Sequence, residues 1–317
     1  MSLTHAALPY PDDEAFLAAA VPFLRDGVRD DVPVLAVTVG KTDLLRRELA
    51  AHDGAITYID SAAFYQHPAR IVARILDLAE RETGSGGGIR LLGEQMWDAR
   101  TPLENQEWQR VEALVNLLFA DTRAHILCAY DRRLPEHLLR TSKLTHPELA
   151  EGTERRPNPA FQDPHDYLSS ADRQPLEPAP RDSALVAVRS RDLRDLRALV
   201  SVHARRHGLG GALLHQLLVA VTEVATNALD HGEPPVTLRM WPEAGGLVCE
   251  VSDEGTWAPD GPEHTGHVPP RPHERAKLGL WAVRMLSGAV QVRTGPHGTR
   301  VRIHAPVCRA DGLRLPV

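Results

Sequence analysis

Residues 223–232 read Glu223-Val224-Ala225-Thr226-Asn227-Ala228-Leu229-Asp230-His231-Gly232, and this stretch decides how the second half of the chain folds. Leu213, Leu214, Leu217, Leu218, Val221, Val224, Ala225, Ala228 and Leu229 recur at three- and four-residue steps. That pattern predicts a helix over 211–231 with one buried face, ended by Gly232. Glu223 and Asn227 are four residues apart and share a face, which Asp230 and His231 extend by a further turn. A carboxylate there can orient water or a hydroxyl, and an amide oxygen can ligate a hard cation. Spacing alone favours an ordinary solvated helix face, since an acid and an amide at this separation are common.

The segments around this helix make it more than a polar stripe. Leu185–Val188 reads as a short strand and Leu193–His207 as an amphipathic helix with Leu193, Leu196, Leu199, Val200 and Val202 on one side. Val236–Trp241 and Gly246–Asp253 read as a hairpin around Pro242–Gly245. A long aperiodic loop, 256–276, has the character of a functional lid. A helix over 278–286 and a hairpin of 290–293 with 299–305 close the chain. Helices, hairpin, lid, helix and hairpin make an α/β sandwich with an antiparallel sheet.

The first half alternates instead. Helices are expected at 12–28, 42–51, 68–82, 103–119 and 135–144, and strands at 34–39, 56–59, 89–92 and 125–130. A glycine-rich turn lies at 84–88. Repeated β and α units with short connections predict a parallel sheet covered by helices. Ligands of such folds gather at the carboxyl ends of strands. Polar clusters stand there at Gly93-Glu94-Gln95-Met96-Trp97 and Tyr130-Asp131-Arg132-Arg133, with His5, Tyr10, Asp12 and Asp13 ahead of the first helix. They read either as a pocket or as ordinary turn residues. No GxxxxGK[ST] loop occurs, and Tyr10-Pro11-Asp12-Asp13 has neither the glycines nor the charge to cradle phosphate.

Composition bounds the rest. The chain has 317 residues, 43% hydrophobic and 25% charged, with a net charge of −6, so two domains of globular type are expected. There is no basic excess to draw it onto nucleic acid or an anionic membrane. Cys128, Cys249 and Cys308 are far apart, which argues for a reducing compartment and against a disulfide frame or a thiolate zinc site. No signal pattern or spanning apolar run is visible, and a cytoplasmic protein is expected. Prolines crowd residues 155–183, and 169–183 reads as a semi-rigid linker between domains at 1–168 and 184–317.

Two resemblances sit on these residues. His5, Tyr10, Asp12-Asp13, Phe23-Leu24-Arg25-Asp26-Gly27, Pro33-Val34-Leu35, Gly93-Glu94, Trp97 and Cys128-Ala129-Tyr130-Asp131 resemble the MEDS sensory domain. That resemblance implies a RecA-like parallel sheet that senses a small molecule, with His5, Tyr10, Glu94, Trp97, Tyr130 and Asp131 as pocket candidates. Glu223 to Gly232, Asp253-x-Gly255, Gly279-Leu280 and Gly298-Thr299-Arg300-Val301-Arg302-Ile303-His304 resemble the GHKL ATP-binding fold, in the form found in bacterial anti-sigma-factor serine/threonine kinases. The resemblance implies ATP and Mg²⁺. Glu223 would be the general base and Asn227 the Mg²⁺ ligand. Asp253, Gly255 and Thr299 would hold adenine, and the Gly279 helix N-terminus would face phosphate. Asp230, His231, Lys277, Leu280 and Gly298 complete the expected site. The chain departs from the pattern at Lys277, where a glycine is usual, and at Trp257, where a second glycine often stands.

The expected function is an ATP-dependent serine/threonine kinase that controls a sigma factor. It would act by phosphorylating a STAS-type anti-anti-sigma partner, under the control of a ligand at the first domain. A non-catalytic binding switch with weak or lost turnover is the other reading. A two-component histidine kinase would need a phosphoacceptor histidine on a helical hairpin, and none precedes Leu185. Neither DNA nor membrane is an expected partner. The 193–207 helix leaves homodimerisation, a partner contact or a plain core role open.

Overall fold

Every residue of Val34–Thr38 and of Ile89–Glu94 is buried, as a strand must be when both faces of its sheet are covered. The computed structural model describes residues 3–83, 88–189, 193–243, 245–259, 265–270, 279–296 and 298–306, leaving aside the side chains of 78–83. The glycine-rich turn read at 84–88 lies almost wholly outside these residues, as do Lys277 and much of the 256–276 loop. The chain divides into two units, Met1–Leu168 and Ser169–Val317.

The first unit runs β1 (Thr4–Tyr10), α1 (Asp13–Arg29), β2 (Val34–Thr38), α2 (Thr42–Glu48), β3 (Ile56–Asp60), α3 (Ser61–Phe64), α4 (Pro68–Thr83), β4 (Ile89–Glu94), α5 (Pro102–Leu118), β5 (Ala124–Asp131), α6 (Glu136–Thr145), β6 (Glu148–Glu151) and β7 (Glu154–Pro157). Its sheet has the order β3-β2-β4-β5-β1-β6-β7. All pairs are parallel except β6 with β7. The reading of the sequence puts His5 and Tyr10 in one polar cluster before α1. The structure makes them opposite ends of β1, a strand inside the sheet between β5 and β6. Thr4-His-Ala-Ala-Leu-Pro-Tyr10 lacks the β-branched run that marks β2, so its pattern does not announce a strand. Pro9 is tolerated because β6 pairs with β1 only at Ala6 and Ala7. Asp12 caps α1, accepting from the Ala15 N–H at 2.9 Å. Gly27 lies inside α1, where an added Cβ would meet Val34 at 2.7 Å.

Strand alternation sorts the sheet's two faces. Ala6, Leu8, Tyr10, Leu92, Leu127 and Ala129 join Phe16, Phe23 and Leu24 of α1 in one core. His5, Cys128 and Tyr130 point the other way.

α7 (Pro164–Arg173) follows, so residues 169–173, read as linker, are helical. The second unit then has β8 (Ala184–Ala187), α8 (Arg194–Arg206), α9 (Gly211–His231), β9 (Thr237–Glu243), β10 (Gly246–Asp253), α10 (Gly279–Leu286), β11 (Ala289–Gly295) and β12 (Gly298–Pro306). Its sheet is antiparallel throughout, in the order β11-β12-β10-β9-β8. Leu214, Leu217, Val221, Val224 and Ala228 of α9 pack on Leu247, Cys249 and Val251 of β10 and Val301 and Ile303 of β12. By length and composition α9 could cross a membrane, but here its apolar stripe lies on the sheet. α8 buries Leu196, Val200 and Ala204, whereas Leu199 and Val202, read as facing the same way, are exposed. On the sheet's other face Arg302 pairs with Glu250 at 2.6 Å, lies over Trp241, and donates to the Glu177 carbonyl at 2.9 Å. Arg293 donates to the Gln174 carbonyl. Part of the proline-rich stretch is therefore fastened to the second unit.

Phe16 is fully buried in the first core. Phe16→Ala should destabilise the first unit by about 3–5 kcal/mol, the cost of a large core truncation. Urea unfolding followed by circular dichroism should show one transition move while that of the second unit stays in place.

Candidate functional site

Asp253 ends β10 with 8% of its surface exposed. Its Oδ1 accepts the Gly255 N–H at 2.8 Å, and the Glu233 N–H supplies a further bond. Burial raises the Asp253 carboxyl above the ordinary carboxylate value, the two N–H groups pull it back, and the Glu233 charge pushes it up again.

Glycines make this arrangement possible. At Gly232 a Cβ would sit 2.5 Å from Asp253 Cγ, and at Gly255 it would sit 2.9 Å from the Gly232 Cα. Gly298 has φ +99°, and its Cβ would fall 2.0 Å from the Asp253 carbonyl oxygen. The end of α9 is tied in as well, since Glu254 N–H donates to the Glu233 carbonyl at 2.9 Å. Thr299 pairs with Asp253 across the β10–β12 ladder, and its hydroxyl lies 3.4 Å from the Gly255 carbonyl.

Beside this acid lies a cavity of about 410 Å³. Val224 and Ala228 of α9, Val251, Trp257, Leu280 and Val301 form apolar walls. Asn227, His231, Asp253, Thr256 and Thr299 supply the polar groups. An added Cβ on Gly279, the first residue of α10, would be 3.6 Å from Glu223 Oε1 and 3.8 Å from Asn227 Nδ2. Glu223 and Asn227 thus stand beside a helix N-terminus, whose free N–H groups favour anions. An apolar slot with one buried acceptor at its inner end, and a carboxylate, an amide and N–H donors at its rim, suits a flat heteroaromatic group carrying an anionic tail.

Of the residues singled out in this unit, Asn227, His231, Asp253, Gly255, Leu280 and Thr299 line the cavity, and Glu223, Gly279 and Gly298 adjoin it. Asp230 is exposed and is not part of the lining, and Lys277 lies outside the described residues. Trp257, half-buried, forms part of the wall. Gly232 reads from sequence only as a helix stop. Its second role, making room for Asp253, leaves no local signal.

The six pocket candidates of the first unit do not come together. Tyr10 and Glu94 meet on the α1 face, where the Tyr10 hydroxyl donates to Glu94 Oε1. Lys41 Nζ lies 2.7 Å from Glu94 Oε1 and 3.0 Å from the Tyr10 oxygen, and Val39 N–H binds Glu94 Oε2 at 2.8 Å. Burial and the Glu94 carboxylate push the Tyr10 hydroxyl above its ordinary value. Asp131 pairs in register with Tyr10 and holds the Arg133 guanidinium at 2.9 Å. His5, Trp97 and Tyr130 belong to the opposite face. Trp97 stacks on Tyr130 at 5.7 Å, Tyr130 meets His146 edge-on, and His5 lies beside Glu112, Cys128 and His146. Lys41, Glu112 and His146 are missed by the sequence reading, being brought in by elements distant along the chain.

Comparison with known proteins places these units. Residues 4–147 match the family model described as MEDS: MEthanogen/methylotroph, DcmR Sensory domain. Residues 186–305 match that of the Histidine kinase-like ATPase domain. The chain therefore carries a MEDS domain followed by a histidine kinase-like ATPase domain. No curated protein matches it. Among solved structures, one similar to it is the crystal structure of the RsbU and RsbW domains of Rv1364c from Mycobacterium tuberculosis. The identity is 17% over 41% of this chain and 34% of that one, with a TM-score of 0.31, so the match spans about a third of that chain's length.

Gly232→Ala should force Asp253 or the end of α9 to move and cost about 1–3 kcal/mol, as overpacking does. Differential scanning calorimetry should show the second unit melting earlier. An unchanged melting temperature would contradict the close packing described here.

Proposed function

We propose that the second unit binds ATP with Mg²⁺ and transfers the terminal phosphoryl group to a serine or threonine of a small STAS-type anti-anti-sigma partner. This would control a sigma factor in the cytoplasm, and a small molecule at the MEDS domain would gate it. The observation that carries the nucleotide reading is the buried, N–H-braced Asp253 at the inner end of an apolar cavity whose rim holds Asn227 and Glu223 against the start of α10.

Each group then has a physical task. Asp253 accepts from the adenine amino group, and Gly255 and Gly232 leave room for the base. The flat walls of Val224, Val251, Leu280 and Val301 cover the ring, and Trp257 narrows the entrance. Asn227 offers its amide oxygen to Mg²⁺. A bound Mg²⁺ would there supply positive charge against the phosphates. The N-terminus of α10 favours the phosphates. Glu223, half-buried beside Gly279, is placed to take the proton of the attacking hydroxyl.

Isothermal titration calorimetry with ATP and Mg²⁺ tests the site. Asp253→Asn should weaken binding by about 10-fold or more, the worth of a hydrogen bond to a charged group. If the wild-type chain takes up no nucleotide, the reading fails. Glu223→Gln should leave affinity near wild type and lower phosphoryl transfer to a serine-bearing partner by about 10²–10⁴-fold. Binding with no transfer in either protein would instead mark a non-catalytic switch.

The site also carries a pH signature. Its acceptor must be ionised, so affinity is full above the Asp253 pKa and declines as pH falls through it. Because burial raises that pKa, the decline should begin above the ordinary carboxylate range. A pH series of titrations on wild type and Asp253→Asn should show the decline in the first and a flatter profile in the second.

A further inference from the structure

The first unit buries a second chemical centre, made of none of the residues that line the cavity of the second unit. His5 of β1, Glu112 of α5, Cys128 of β5 and His146 at the end of α6 are all buried, and one ligand-type atom from each lies within 4.8 Å of the others. Glu112 Oε2 is 3.4 Å from His5 Nε2, 3.4 Å from His146 Nε2 and 3.4 Å from Cys128 Sγ. Cys128 Sγ is 3.5 Å from His5 Nε2. An ion held tetrahedrally by nitrogen, oxygen and sulfur at ordinary zinc bond lengths spaces its ligand atoms about 3.3–3.6 Å apart. These four separations fall in that range, and the remaining two lie within 4.8 Å.

The hydrogen positions point the same way. His146 Nδ1 lies 2.7 Å from the Ser142 carbonyl, which can only accept, so that nitrogen carries the proton. The Asn116 amide nitrogen donates to the carbonyls of Glu112, Ala113 and Thr145, so its oxygen must be what meets His5 Nδ1 at 3.0 Å. In its neutral form each imidazole therefore turns an Nε2 lone pair inward, towards Glu112 Oε2. His146 Nε2 is buried 3.4 Å from Glu112 Oε2, without a hydrogen bond of good geometry among the described residues. Gln95 donates to Glu112 Oε1 and leaves Oε2 for the centre. Two lone-pair nitrogens and a carboxylate oxygen then face one another with a single thiol proton among them. The rings are 4.1 Å apart, so protonating both would bury two like charges in contact. A divalent cation at the centre would be met by a ligand atom from all four side chains at once. The Nδ1 partners are the outer contacts that orient metal-bound imidazoles.

We propose that His5, Glu112, Cys128 and His146 form a closed four-coordinate site for a thiophilic divalent metal ion, zinc fitting best. Loading releases the Cys128 proton to solvent, involves no redox change, and ties β1, α5, β5 and the end of α6 together. The mixed imidazole, carboxylate and thiolate set favours zinc over magnesium or calcium.

The test uses the full chain without a histidine tag, in a Cys308→Ser background. Mass spectrometry of the metals should find about one zinc per chain, removable by chelator and restored by zinc. Cobalt in its place should give an intense near-ultraviolet thiolate-to-metal absorption. Cys128→Ser should abolish that band, and His146→Gln should weaken zinc binding by about 100-fold or more in competition with a chromophoric chelator. Asn116→Ala, which removes the outer contact to His5 along with the side-chain bonds to the Glu112, Ala113 and Thr145 carbonyls, should weaken it by about 10- to 100-fold. A folded chain that holds no zinc after reconstitution would overturn the proposal, as would a cobalt spectrum without the thiolate band or one unchanged in Cys128→Ser. Should the variants fail to fold, the wild-type cobalt spectrum decides alone.

Discussion

The Asp253 carboxylate lies where water cannot reach it freely, so backbone has to do what solvent does elsewhere. N–H groups from Gly255 and Glu233 brace it, and this requires the turn after β10 and the end of α9 to be held together. That in turn requires glycine at 232 and 255, because a methyl group at either position would occupy the space of the acid or of its brace. The start of β12 is drawn into the same knot through Gly298. The cavity is thus a by-product of closing three chain segments around one buried charge, and its apolar walls are the upper rim of the same core that seats α9 on the sheet.

The first unit obeys a different constraint, the two-residue period of a strand. In β1 and β5 that period sends Tyr10 and Asp131 to one face and His5, Cys128 and Tyr130 to the other. One face collects an exchange of charge among Tyr10, Lys41 and Glu94 near the carboxyl ends of the strands. The opposite face collects imidazoles, a thiol and a carboxylate under α5 and α6. A single sheet therefore separates two polar systems by its own thickness.

What was legible in the sequence follows from these same constraints. The α9 periodicity, the β10 hairpin and the closing hairpin are local signals, and the residues they order fall around one cavity. β2 was visible because a buried parallel strand is apolar throughout. β1 was not, since Thr4–Tyr10 holds alanines, a proline and a histidine, and only its neighbours make it a strand. The six residues that the sequence groups as one pocket are divided between two faces for the same reason, because residues that share a sequence neighbourhood or a strand end need not share a face. The absence of closely spaced cysteines argued against a zinc site of thiolates. It could not speak to a mixed set gathered from positions 5, 112, 128 and 146.

The order in which the chain emerges gives α9 a further significance. Among its sheet partners only β8 precedes it. The strands that cover its apolar stripe, β9, β10, β11 and β12, are all made later. At a synthesis rate of about 5–20 residues per second, the helix waits several seconds with that stripe uncovered. The segment that builds the rim of the cavity is therefore also the one most open to misassociation during synthesis, and the last hairpin is what ends the exposure.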